Sequence, residues 1–139
     1  MDAGGIHYRR SPPLTNDALA ALFRSAWPAH AERDFAPVLE RSLAWIAAFD
    51  GARLVGFVNV AWDGGRHGFV LDPTVHPDYR RRGIGSALLR HAADLARERG
   101  LEWLHVDFAP ELEPFYRAAG FRKTAAGLLR LREEPSGSP

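Results

Sequence analysis

The chain has 139 residues, 46% hydrophobic and 25% charged, the proportions of a folded domain with room for one sizeable core. Its 18 basic and 17 acidic residues leave a net charge of +1, which argues against a nucleic-acid or membrane-surface partner. It contains no cysteine, so disulfides, thiolate metal sites and a cysteine nucleophile are excluded.

In chain order, Ile6 to Arg10 alternates weakly and predicts a first strand, ended by Ser11-Pro12-Pro13. Thr15 is placed to cap a helix through about Trp27, with Asp17 in its first turn and Leu19, Leu22, Phe23 and Ala26 as the apolar stripe. Pro28 stops that helix. A shorter helix is expected from about Pro37 to Ala44. Trp45 to Phe49 fits helix or buried strand, and the following Asp50-Gly51 favours a strand that turns into Leu54 to Trp62. Asp63-Gly64-Gly65-Arg66 turns the chain again, and an apolar run from Phe69 to Val75 predicts a buried strand.

A Pro and a basic cluster break the pattern after Val75. Gly83-Ile84-Gly85 follows, and a helical period starts at once, with Ile84, Leu88, Ala92 and Leu95 on one face. The helix is expected to run to about Arg99, with Gly100 at its left-handed C-terminal cap. Leu101 to Phe108 reads as a strand and Glu111 to Ala119 as a short helix closed by Gly120. Phe121 to Leu131 predicts a terminal hairpin turning at Ala126-Gly127, and residues 133–139 a disordered polar tail. The whole is an α/β chain of the α+β kind, a mixed sheet flanked by helices and forming one domain over residues 1–132.

Strand, glycine turn and helix together aim unpaired backbone N–H groups at one point. The helix dipole adds roughly half a positive charge there, which makes an anion site. Glycine leaves the backbone open to a ligand's oxygens, and Arg80, Arg81 and Arg82 carry guanidinium groups that pair with phosphate. The segment lacks the nucleotide P-loop pattern and the third glycine of the dinucleotide fingerprint.

The segment Arg80-Arg81-Arg82-Gly83-Ile84-Gly85 instead resembles the Arg/Gln-x-x-Gly-x-Gly/Ala signature of the GCN5-related N-acetyltransferases (GNAT). Val75-His76-Pro77-Asp78-Tyr79 looks like that family's strand exit, and Pro114-Phe115-Tyr116-Arg117-Ala118-Ala119-Gly120-Phe121 like its aromatic-Tyr-x-x-x-Gly-Phe element. The resemblance implies the acyl-coenzyme A N-acyltransferase fold, ordered β-α-α-β-β-β-α-β-α-β-β. It also implies transfer of acetyl from acetyl-coenzyme A to an amine, with no metal. Val75, Arg80, Arg81, Arg82, Gly83, Ile84, Gly85 and Ser86 would cradle the coenzyme. Tyr116 would protonate the departing thiolate, a task that suits a phenol in a dry cleft.

Relatives often carry Glu or His on the strand before the glycine turn, at the places of Phe69 and Leu71 here, and neither of these takes a proton. Asp107 is the preferred candidate to anchor or deprotonate the amine, since alternation puts it on the face opposite Val106 and Phe108. His105, His67 and Asp72 are the other titratable candidates. Ala109 stands where many relatives have an asparagine. An acyl-coenzyme A sensor or interaction module without catalysis is the alternative to an enzyme. A homodimer stays open. With no signal-like N-terminal segment and no apolar run of about 18 residues, a cytoplasmic location is expected, and the Ala-, Arg- and Gly-rich composition suggests a bacterial source.

Overall fold

The computed structural model describes residues 5–29 and 33–133. Strands β1 (Ile6–Arg10), β2 (Ala44–Asp50), β3 (Arg53–Trp62) and β4 (His67–Val75) form an antiparallel meander, and β5 (Trp103–Val106) joins β4 in parallel. The strand order is β1-β2-β3-β4-β5 in one mixed sheet. Parallel neighbours need a crossover, which helix α3 (Ile84–Glu98) supplies.

Local chemistry explains most boundaries. Thr15 caps helix α1 (Asn16–Ala26) by accepting a 3.1 Å hydrogen bond from the Ala18 N–H. The β2–β3 turn is Gly51-Ala52 between the paired Asp50 and Arg53, and Gly51 sits at φ +60°, where a side chain would be strained. In the β3–β4 turn the Asp63 carboxylate accepts from the Gly65 and His67 N–H groups at 2.7 and 3.2 Å, which holds its pKa below the ordinary value.

The sheet is covered on both faces. Helix α1 and the short α2 (Ala36–Arg41) lie on one, where Phe23 stacks on Phe35 and meets Phe57 edge-on. Helix α3 covers the other, burying Ile84, Leu88, Ala92 and Leu95 against Ile46, Val58 and Val60. The four residues expected on one face of this helix are all in that core.

Three expectations need correction. Helix α2 ends at Arg41 instead of reaching Ala44, because the Leu43 N–H bonds the Val60 carbonyl at 2.9 Å and sheet pairing takes the chain from there. Strand β5 is shorter than Leu101 to Phe108, and the helix expected from Glu111 begins as a 3-10 turn, Pro110–Leu112, before α4 (Glu113–Ala118). The terminal hairpin is not formed: residues 121–133 contain no strand and are exposed beyond Phe121. Two turn-forming residues do not make a hairpin unless the flanking segments find a face to bury against. The tail expected over residues 133–139 lies outside the described residues except for Glu133.

Helix α3 presses closest to the sheet at Gly56. A Cβ there would stand 3.1 Å from Ile84 Cγ2 and 3.2 Å from Ala48 Cβ and Leu88 Cδ1. Gly56→Val is therefore expected to destabilise the fold by about 1–3 kcal/mol through overpacking. An unchanged midpoint in chemical unfolding would show that the helix stands off.

Candidate functional site

The site starts from an irregularity in β4. Phe57 of β3 pairs with Thr74, and Asn59 pairs with Leu71, so Val58 faces both Asp72 and Pro73. That is a β-bulge, with Asp72 at φ +55° and Pro73 unable to donate to a ladder. A bulge bends its strand. Strands β4 and β5 stay paired from His67–Trp103 to Val70–Val106 and then part, while β4 continues to Val75. A cleft opens between them. One wall is the outer edge of β4 from Leu71 to Val75, whose backbone groups suit an extended, amide-bearing ligand.

The mouth of α3 lies at one end of this wall. Val75 leads into a 3-10 turn, Pro77–Tyr79, capped by His76 Nδ1, which accepts from the Asp78 N–H at 3.1 Å. The buried Tyr79 donates its hydroxyl to Asp50, and the guanidinium groups of Arg53 and Arg82 lie over its ring at 5.5 and 5.0 Å. The β2–β3 hairpin thereby holds the loop in place. Arg81 and Gly83 are left-handed, at φ +63° and +76°, and Gly83 is the N-cap of α3 without a side-chain cap bond. The first-turn N–H groups of a 15-residue helix are thus left for a ligand. Arg80, Arg81, Arg82, Gly83 and Ser86 are exposed around this point, whereas the Ile84 side chain is buried and contributes backbone alone.

Gly85 has a different reason to be small. A Cβ there would lie 3.3 Å from Phe115 Cζ and 3.9 Å from Val75 Cγ2. The missing side chain lets α4 approach α3, which the expected exposure of backbone to ligand did not anticipate.

Through Phe115 the mouth connects to Tyr116. The Tyr116 ring is 3% exposed, stacked on Phe108 at 4.8 Å and met edge-on by Phe115 at 5.0 Å and Phe121 at 5.9 Å. Its hydroxyl takes no hydrogen-bond partner among the described residues. Burial pushes its pKa above the ordinary 10.0, so it stays a proton donor.

Asp107 is exposed just past β5. It lines a cavity of about 790 Å³ with Phe69, Leu71, His105 and Phe108. The structure therefore brings Asp107 and Tyr116 to opposite sides of the Phe108 ring, without direct contact between them. His67 and His105 are joined by a 2.8 Å hydrogen bond between ring nitrogens, and Phe69 stacks on His105 at 4.8 Å. Asp72 instead turns to Arg33, at 3.6 Å. Among the described residues no three His, Cys, Asp or Glu side chains gather as a metal site would require.

Sequence reading missed three features. The bulge had a signal, a proline inside an apolar strand. The histidine pair had none, since its members come from different strands. Nor did Asn59, whose amide is 1% exposed and unpaired among the described residues.

A mixed sheet whose parallel strands part beside an uncapped helix mouth, with a buried phenol nearby, defines the acyltransferase architecture. Residues 14–121 match the model of the acetyltransferase (GNAT) family, and the chain belongs to that family. It is 39% identical over 96 residues to a mycothiol acetyltransferase of Mycolicibacterium vanbaalenii, a match covering 68% of this chain and 28% of that protein. It is 34% identical over 113 residues to glucosamine 6-phosphate N-acetyltransferase 1 of Oryza sativa subsp. japonica, covering 80% of this chain and 66% of the relative. The chain thus spans less than two thirds of the length of each of these relatives. A GNAT-family acetyltransferase of Streptococcus pneumoniae TIGR4 superposes with a TM-score of 0.74 at 26% identity, covering 94% of this chain and 100% of that one.

The Gly85–Phe115 contact predicts a coupling. Gly85→Val should lower stability by about 1–3 kcal/mol, and a Phe115→Ala background should relieve most of that cost. Equal costs in both backgrounds, measured by chemical unfolding, would remove the contact from the account.

Proposed function

We propose that this chain transfers acetyl from acetyl-coenzyme A to an amine of a small molecule or peptide, by direct attack within a ternary complex. The observation that carries the reading is the parted β4–β5 cleft, with an uncapped α3 mouth at one end and the unpaired Tyr116 hydroxyl beside it. The α3 backbone amides from Gly83 to Ser86 and the guanidinium groups of Arg80, Arg81 and Arg82 would grip the coenzyme's pyrophosphate. The edge of β4 up to Val75 would pair with the amides of its extended arm.

The amine nitrogen attacks the thioester carbonyl carbon, the carbon–sulfur bond breaks and its electron pair leaves on sulfur. Tyr116 supplies or shares the proton that this sulfur takes up. A primary alkylamine is unprotonated in only about one molecule in 10³ near pH 7, so a group that accepts its proton helps. Asp107 is the proposed acceptor of that proton, with His105 beside it in the same cavity. Phe69 and Leu71 give that cavity an apolar wall. The absence of cysteine from the chain supports direct transfer over a cysteine-borne acetyl relay. The relatives' names point to different acceptors, mycothiol and glucosamine 6-phosphate, so the amine is carried no further than small molecule or peptide.

An amine panel with acetyl-coenzyme A, read by free thiol release, tests turnover and acceptor class together. Tight coenzyme binding with no thiol release from any amine would instead favour the sensor reading, to which the non-titratable Phe69 and Leu71 are suited. Tyr116→Phe is expected to lower kcat about 10²-fold while coenzyme affinity, by calorimetry, stays near that of the parent. Because burial raises the phenol pKa, its proton is lost only above pH 10.0. The alkaline limb of kcat is therefore expected above that pH where Tyr116 sets it, and its disappearance in Tyr116→Phe is the check.

A further inference from the structure

Strand β5 ends the sheet, so one of its edges presents backbone N–H and C=O groups to no neighbouring strand among the described residues. Such an edge is a template for another extended segment. Residues 121–133 form no strand, and Leu128, Leu129 and Leu131 are 82, 83 and 88% exposed. Three adjacent leucines held in water mark a surface that lacks its partner. Leu129-Arg130-Leu131-Arg132 also alternates as a half-buried strand does.

The chain's own tail does not satisfy its own edge. The cavity of about 790 Å³ lies between β5 and the tail, with Leu104 and Val106 on one side and Phe121 and Leu128 on another. A second space of about 570 Å³ separates Asp107 to Ala109 from Ala126 to Leu128. The tail passes the end of the strand and leaves it uncovered. Its charge matches what it leaves: Arg122, Lys123, Arg130 and Arg132 oppose one acid, Glu133, while the rim of β5 carries Glu102, Asp107 and Glu111.

We infer that the occupant of the β5 edge is residues 121–133 of a second copy of this chain, and that this chain's tail completes the second copy's sheet in return. A two-fold exchange of this kind closes on itself and buries both sets of leucines. It also brings the partner's tail beside His105 and Asp107. The acceptor wall proposed above is then finished by a second copy.

The test is the mass of the full chain by sedimentation velocity, with amide exchange of Trp103 to Val106 followed in parallel. The expected result is a species of twice 15.4 kDa at micromolar concentration, with slow exchange at β5. On dilution the mass and the protection should fall together. Leu129→Arg combined with Leu131→Arg should give a monomer with unchanged far-ultraviolet circular dichroism and fast-exchanging β5 amides, since neither leucine touches the core of its own copy. The inference fails if the parent chain is monomeric at high micromolar concentration. Protected β5 amides in such a monomer would show its own tail folding back. It fails equally if the dimer persists in the double variant.

Discussion

The parting of two parallel strands is the constraint on which this architecture depends. Strand β4 carries one residue too many between its pairings with β3, and Asp72 and Pro73 absorb it. Proline cannot continue a ladder, and Asp72 in a left-handed conformation turns the chain aside. Without that bend β5 would stay paired along β4. Its hydrogen bonds would then occupy the strand edge that the cleft leaves open.

A cleft becomes a binding site only if its ends are held. The loop after β4 is fixed from outside by Asp50, which accepts the Tyr79 hydroxyl, and by Arg53 above the Tyr79 ring. Both belong to a hairpin on the far side of the sheet, so the arginine-rich turn inherits the rigidity of β2 and β3. Gly83 then lets the backbone enter α3 without a side chain capping the first turn. At the other end, the Gly85–Phe115 contact brings Tyr116 close to the same helix mouth. Rigid placement matters because an oriented donor contributes to rate only while its geometry holds.

The two faces of the sheet divide the labour. The α3 face is a close-packed aliphatic core, and it positions the helix mouth. The opposite face is well covered over β2 and β3 but leaves Phe69, Leu71, Trp103 and the linked His67 and His105 near the surface. Buried beneath that face, the unpaired Asn59 amide forgoes hydrogen bonds that cost about 1–3 kcal/mol to leave unmade. Polar groups left in such a state collect where recognition matters more than stability.

What the sequence by itself determined is what neighbours within a few residues decide. The Thr15 cap, the Gly51 turn, the Gly83 entry to α3 and the apolar stripe of that helix were all legible, because caps, turns and helical periods act within one or two turns of chain. The anion-binding mouth was legible for the same reason, and Tyr116 through its resemblance to a known element. Only the tertiary structure decided where β4 and β5 part, because a bulge exists only in the register between two strands. The pairing of His67 with His105, the close seat of Phe115 at Gly85 and the enclosure of Asn59 likewise join segments far apart in sequence. The segment from Phe121 to Leu131 shows the limit most plainly: its residues favour extended pairing, but a strand forms only where another backbone edge is offered to it.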